Sequence, residues 1–196
     1  MSPRTRRMEP AGNPFAEATD AELFDAMADG DLGPLGELFD RYHANVRAFA
    51  ERLLGHPADA ADMVQETFLT AARASTSFQP GASAKPFLLG VAAQLARRRR
   101  RSFVRLRALL TAFEHAPTAR RPTPEDHLAA GEDAALLDEA LAKLSHEHRE
   151  VLLLVDLGGL SGVEAAKALG VPSGTVWRRL HEARAQLRDR IQRGRR

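Results

Sequence analysis

None of the chain's 196 residues is cysteine, which removes disulfides, thiolate metal sites and thiol catalysis from consideration. Lysine is nearly as scarce, standing only at 85, 143 and 167, and there is one Trp and one Tyr. Long apolar runs are missing too. The longest, Val151 to Val155, stops at Asp156 and is far too short to span a bilayer. The seven histidines are scattered, and His146 and His148, two apart on a helix, point to different faces. No carboxylate cluster has metal spacing, and there is neither a glycine-rich phosphate loop nor a nucleophile–base arrangement. Met1 to Ala18 holds Arg4, Arg6 and Arg7 without an apolar run after them, so it does not read as a secretory signal. These absences lead to the expectation of a soluble, cytoplasmic protein that is not an enzyme and needs no cofactor or metal.

What is present is arginine and charge segregation. The formal net charge is only +2. Acid dominates Asp20 to Asp40 and returns at Asp59, Asp62 and Glu66, whereas base is concentrated in Arg97 to Arg101 and from Arg178 onward. Arginine offers a planar fork to phosphates and guanine edges, so this bias suits nucleic acid; a GC-rich genome would enrich Arg as well.

The periodicity is helical throughout, with no strand signal. Thr19 and Glu22 have capping-box spacing ahead of Leu23, Phe24 and Met27. After Asp29-Gly30-Asp31 a long helix carries Leu35, Leu38, Phe39, Tyr42, Val46, Phe49, Ala50 and Leu53 on one face. Gly55-His56-Pro57 ends it, and Asp59 is expected to cap a third helix with Val64, Phe68, Ala71 and Ala72 inward. A loop, Ser75 to Ser83, precedes a fourth helix that starts around Pro86, buries Leu88, Val91, Ala92 and Leu95, and runs into five arginines. The prolines 117, 122 and 124 mark a linker, although Val104, Leu106, Leu109, Leu110 and Phe113 allow the fourth helix to continue first. The division expected is a tail over 1–18, a helical domain over 19–102, a linker over 103–127 and a second helical domain over 128–192. The fold class is all-α, two small helical domains on a flexible linker, the C-terminal one a helix-turn-helix.

That last motif is the sharpest local signal. Ser161 and Glu164 again have capping-box spacing, Gly170 falls where a left-handed residue must end a helix, and Pro172 suits the first turn of the next. Val176, Leu180, Ala183 and Leu187 then form a buried seam and leave Gly174, Thr175, Arg178, His181 and Glu182 outward. A short outward-facing helix of this kind enters a DNA major groove. Arg178, Arg179 and Arg184 can reach phosphates or guanine N7 and O6, and Ser173 and Thr175 at the helix start can bond phosphate or base. Trp177 lies on the flank, where packing is the commoner role for a lone Trp.

On the third helix, Asp62, Gln65, Glu66 and Leu69 share one outward stripe, which spacing alone leaves balanced between a solvated face and a docking face. The run Asp59 to Ala71 around them resembles region 2.2 of bacterial sigma factors, in particular the small extracytoplasmic-function (ECF) group of the sigma-70 family. Leu35 to Leu54 is similar to region 2.1, Lys85 to Arg101 to region 2.4, Leu141 to Val151 to the start of region 4, and Ser161 to Leu187 to its promoter-reading end. The resemblance implies a promoter-specificity subunit of RNA polymerase. Asp62, Gln65, Glu66 and Leu69 would dock on the clamp helices of the β′ subunit, with the β subunit as a further contact. The second domain would read duplex at the −35 element through Ser173, Thr175, Trp177, Arg178, Arg179, His181 and Arg184. The first would hold the opened −10 strand through Phe78, Lys85, Gln94, Arg97, Arg98 and Arg101. Phe78 and Phe87 are the available stacking aromatics, with a core role open to each, and Gln94 is an available reader of a base edge. The arginines span more than a helical turn, so phosphate attraction suits them better than sequence reading. In many members of the group an anti-sigma partner covers these same surfaces.

The chain departs from the family pattern at Ala72 and Phe87, where Trp is common, at Ala93-Gln94, where Arg-Asn is common, and at Glu182, which is often basic. A carboxylate at 182 repels phosphate but can accept from a cytosine amino group. The alternative reading is an autonomous helix-turn-helix regulator that binds duplex without polymerase; the stripe on the third helix speaks against it.

Overall fold

A computed structural model describes residues 13–79, 81–110 and 132–194. Among them there are helices and no strand, as the periodicity predicts. Residues 1–12 of the tail expected over 1–18, most of the expected linker and the start of the second domain near Leu128 lie outside the described residues.

The N-terminal block begins with α1, Asp20–Ala28, whose capping box between Thr19 and Glu22 is complete in both directions. Helix α2, Pro34–Leu54, closes on Gly55 in the left-handed region at φ 72°, where a side chain would be strained. Helix α3, Pro57–Arg73, corrects one expectation. His56 is the N-cap residue and Pro57 fills the first turn, so Asp59 lies inside the helix and caps nothing with its side chain. Proline there needs no amide donor, which makes a side-chain cap dispensable. A short 3-10 turn, Ser75–Ser77, leads to α4, Ala84–Leu110. Its start is two residues earlier than Pro86 because Asp20 of α1 reaches across and accepts from the Ala84 amide at 2.8 Å. Its end lies beyond the arginine run, so the helical continuation is the one realised.

The C-terminal block holds α5, Glu132–Ala142, and α6, His146–Leu152, the latter capped by the Ser145 hydroxyl. One wide π turn, Leu153–Leu157, follows. Helix α7, Gly162–Leu169, opens on the Ser161–Glu164 capping box and ends on Gly170 at φ 61°. Helix α8 is Ser173–Gly194. Pro172 sits just before α8, not within its first turn, and its carbonyl accepts from Thr175 and Val176.

The seams pack as the sequence predicts. Leu23, Phe24, Leu38, Phe49, Met63, Leu88 and Ala92 are essentially inaccessible, as are Val176, Leu180 and Ala183. Removing each large apolar side chain from water contributes about 1.5–3 kcal/mol. Phe39, Val91, Ala72 and Leu187 pack only partly, at the margins of the core. The two blocks are not apart: one continuous apolar cluster runs through both, with α4 lying against α7 and α2 against the π turn.

Candidate nucleic-acid and polymerase interfaces

Three surfaces follow from this architecture. The first is the stripe on α3. Burial of Met63, Val64, Thr67 and Phe68 turns Asp62, Gln65 and Leu69 to solvent, with Leu69 50% exposed, and leaves Glu66 half-buried. Thr67 is fully buried and loses nothing, because its hydroxyl donates to the Met63 carbonyl at 2.7 Å. Glu66 is already partnered: Arg99 of α4 donates to it at 2.6 Å. The four stripe residues therefore share one face, and one of them is tied to the arginine run.

The second surface is the outer face of α8. Gly174, Trp177, Arg178, His181 and Arg184 are exposed, while Ser173, Thr175, Arg179 and Glu182 are half-buried. Arg178 is exposed and forms a loose ion pair with Glu182 at 3.9 Å. Trp177 combines both roles left open for it. One side of the ring covers Gly162 so closely that a Cβ there would come within 2.5 Å of it, yet the side chain is still 54% exposed. Glycine at 162 is required by that approach. Glu182 is held by His148 of α6, whose Nε2 lies 3.1 Å from its carboxylate, and Gln186 lies 3.3 Å from the Nδ1 of the same ring. In that network Nε2 faces an acceptor and Nδ1 faces an amide donor. Two of the predicted readers point elsewhere. Arg184 makes a two-pronged pair with Asp156 on the π turn, at 3.0 and 2.5 Å. Arg179 buries one guanidinium nitrogen without a hydrogen-bond partner, and its charge favours the ionised form of Glu150. Helical periodicity assigns a direction to a Cα and says nothing about where a long side chain ends.

The third surface is the loop before α4 and the outward side of that helix. Phe78 stacks on Phe24 with ring centres 4.1 Å apart, and Phe87 meets both rings edge-on. Both are half-buried. They form an aromatic wall to a cavity of about 430 Å³, which Gln94 and Arg98 also line. Lys85, Arg97, Arg99 and Arg100 all have partners: Leu157 O, Glu150, Glu66 and Glu147 respectively. Arg101 is exposed and also engaged.

Between α4, α6 and α8 lies a cluster of buried ionisable groups that sequence reasoning passed over. Glu150 is 1% exposed, and one of its oxygens has no hydrogen-bond partner. Burial pushes its carboxyl up to about 7, against the pull of Arg97, Arg179 and Arg100. His146 beside it is pushed down to about 4, by burial and then by Arg100. Glu147 is lowered by its bond from Arg100. The pH consequence of Glu150 has a definite sign. A folded pKa above the ordinary 4.5 means that the native state holds the proton more tightly, so stability declines as pH climbs from 4.5 through 7. His146 acts oppositely between pH 4 and 6.5. Comparison of Glu150→Gln with the parent isolates the first effect. The variant is expected to match the parent near pH 4.5 and to exceed it by about 3 kcal/mol at pH 8 in urea unfolding. An equal difference at both pH values would remove ionisation of Glu150 as its cause.

Comparison with known proteins places these surfaces in context. Residues 38–105 match the family model for sigma-70 region 2, and residues 134–187 match that for sigma-70 region 4. The chain is 37% identical to the ECF RNA polymerase sigma factor SigE of Mycolicibacterium smegmatis, over 90% of this chain and 69% of that protein. It is 34% identical to the ECF RNA polymerase sigma factor SigM of Mycobacterium tuberculosis, over 87% and 84%. Among solved structures it resembles the sigma factor RpoE of Bartonella quintana, determined in complex with the anti-sigma factor NepR. That likeness has a TM-score of 0.64 at 25% identity, covering 80% of this chain and 96% of the other. Among the described residues no helix is long and apolar enough to cross a membrane.

Proposed function

The chain belongs to the ECF group of sigma-70-type RNA polymerase sigma factors, and from that premise we propose how its surfaces divide the work of directing core polymerase to promoters. The α3 stripe of Asp62, Gln65, Glu66 and Leu69 docks on the β′ clamp helices. An exposed apolar residue beside polar ones on the same face suits such an interface. The outer face of α8 reads the −35 duplex. Arg178, exposed on that face, is the principal base reader. Trp177, braced on Gly162, packs on the sugar–phosphate edge. Arg184 and Arg179 position the helix through Asp156 and Glu150. The α4 face with Phe78, Gln94, Arg98 and the neighbouring arginines holds the opened −10 strand. The protein catalyses nothing itself, needs no cofactor and acts in the cytoplasm. An anti-sigma factor is a fitting regulator, since the Bartonella relative was solved with one.

The observation that carries this reading is the pairing, on one chain, of an outward acidic stripe and an outward helix-turn-helix. A simple repressor has use for only the second. Run-off transcription on a genomic fragment library, with core polymerase and with or without the protein, tests it. Transcripts that appear only with the protein are expected, and they supply both promoter elements. Tight sequence-specific duplex binding without transcripts would favour an autonomous regulator.

The recovered −35 element then tests Arg178. Arg178→Ala is expected to weaken binding to it by about 1–3 kcal/mol while leaving unrelated duplex nearly unchanged. A uniform loss on all duplexes in a titration would assign Arg178 to phosphate.

A further inference from the structure

The outer face of α8, set above against the −35 duplex, carries a carboxylate among cations. Glu182 is the first acid along the helix, ahead of Asp189, and Arg178, Arg179, Arg184 and Arg188 flank it. Every phosphate that the helix approaches repels this charge, so it lowers affinity unless a base contact offsets the loss. Glu182 is also held in place. His148 of α6, with 16% of its side chain exposed, donates from Nε2 to one carboxylate oxygen at 3.1 Å. The amide nitrogen of Gln186 lies 3.3 Å from the other nitrogen of that ring. The second carboxylate oxygen lies 3.9 Å from the guanidinium of Arg178, one helical turn nearer the start of α8.

We propose that Glu182 reads a cytosine of the −35 element through its exocyclic amino group, and that His148 is the positioning residue that makes the reading selective. The proposal rests on the assignment of α8 to the −35 duplex. A carboxylate only accepts, and in the major groove only cytosine and adenine present an amino donor. Adenine sets its N7 acceptor beside that amino group, where the second carboxylate oxygen is repelled. Cytosine sets a C5–H there instead. The chemistry selects cytosine.

Position agrees with chemistry. Four residues of helix rise about 6 Å, the span of about two base-pair steps, so the cytosine stands within about two base pairs of the guanine that Arg178 reads. The bond from His148 leaves Glu182 little freedom to lose at the groove, whereas an unheld glutamate would have to be ordered there. With one oxygen bonded to His148, the pair with Arg178 stays loose, and both side chains keep an edge for a base. A fixed charge that gains at one base and loses near every other discriminates more than it binds.

Run-off competition with the full chain bound to core polymerase tests both residues. Promoter fragments carrying each of the four base pairs in turn, at every position of the recovered −35 element, compete in one tube for limiting holoenzyme. The ratio of transcripts between fragments does not depend on the fraction of protein that is folded. The parent is expected to favour cytosine at one position by about tenfold or more. Glu182→Gln, whose amide can pair with adenine N6 and N7, is expected to lose that preference and gain on adenine, with the other positions unchanged. His148→Ala is expected to weaken the cytosine preference several-fold at the same position only, and His148→Gln, which keeps a donor, to restore most of it. A merely structural role for His148 would not single out one base pair. Parental ratios in Glu182→Gln, or the same relaxation at every position, overturn the reader. Parental ratios in both His148 variants overturn its positioning role. A parent that selects bases elsewhere in the element but never cytosine overturns the reader while leaving α8 on the duplex. A parent with no preference at any −35 position removes the assignment of α8, and the reader falls with it.

Discussion

A chain carrying Asp62→Arg and Glu66→Arg is expected to lose core-polymerase binding by about a hundredfold or more while its helices still form. Asp62 is exposed, and nothing among the described residues bonds to its side chain, so reversing it costs the fold nothing evident. Glu66 is different. It accepts from Arg99, and an arginine at 66 sets two guanidiniums against each other, a loss of about 0.5–1 kcal/mol at a half-exposed pair. That loss is small beside a native domain's stability of about 5–15 kcal/mol. In the proposed docking these charges leave water at the interface, where truncation of one central residue typically costs about 2 kcal/mol or more and reversal adds further loss. Asp62→Arg alone therefore separates the two effects: it should retain the parent's melting temperature and still bind polymerase at least about tenfold more weakly. Competition binding to purified core, read beside circular dichroism, decides it. Parental affinity in a folded double variant would move the docking face off α3.

What was legible in the sequence was local. Both capping boxes, the left-handed Gly170 and the Val176–Leu180–Ala183 seam form as their spacing predicts, because each involves residues within a turn or two of one another. The stripe on α3 was legible for the same reason. Where the reading slipped, a distant partner decided the outcome. Helix α4 begins at Ala84 because Asp20, on another helix, receives its amide. The same carboxylate accepts from the Tyr42 hydroxyl, whose acidity burial and that bond together push to about 12. Arg184 looks like a DNA reader from its heptad position, yet Asp156, 28 residues earlier, holds it. Arg97 and Arg100 read as phosphate ligands, since nothing local marks Glu150 and Glu147 as their counterparts. Periodicity gives the face of a helix; the pairing of long charged side chains is a property of the assembled fold.

Arg149 carries a large expected stability effect for a polar residue, and no motif announces it. It stands mid-helix on α6 among other polar residues, yet its guanidinium donates to four backbone carbonyls. Nε reaches Leu141 at 2.9 Å, Nη2 reaches Ala142 at 2.7 Å and Leu144 at 3.2 Å, and Nη1 reaches Leu53 at 3.2 Å. Three of these acceptors are carbonyls where α5 ends, of which Leu141 also takes the Leu144 amide, and the fourth lies at the end of α2. A cation there satisfies groups that helix geometry leaves unpaired, and it complements the negative end of both helix dipoles. Burial lowers its pKa from the usual arginine value, the mark of a charge held out of water for the sake of those bonds. Arg149→Ala strips all four acceptors at once and opens a space beneath them. The expected loss is about 3–4 kcal/mol, since bonds to a charged donor contribute about 1.5–3 kcal/mol each and do not add in full. Arg149→Lys keeps the charge but cannot copy the fork, so it should recover less than half. Urea unfolding of the three proteins measures both. A loss below about 1 kcal/mol for Arg149→Ala would mean that water replaces the guanidinium at these carbonyls. The α2 end and the α5 end would then be joined by apolar packing alone.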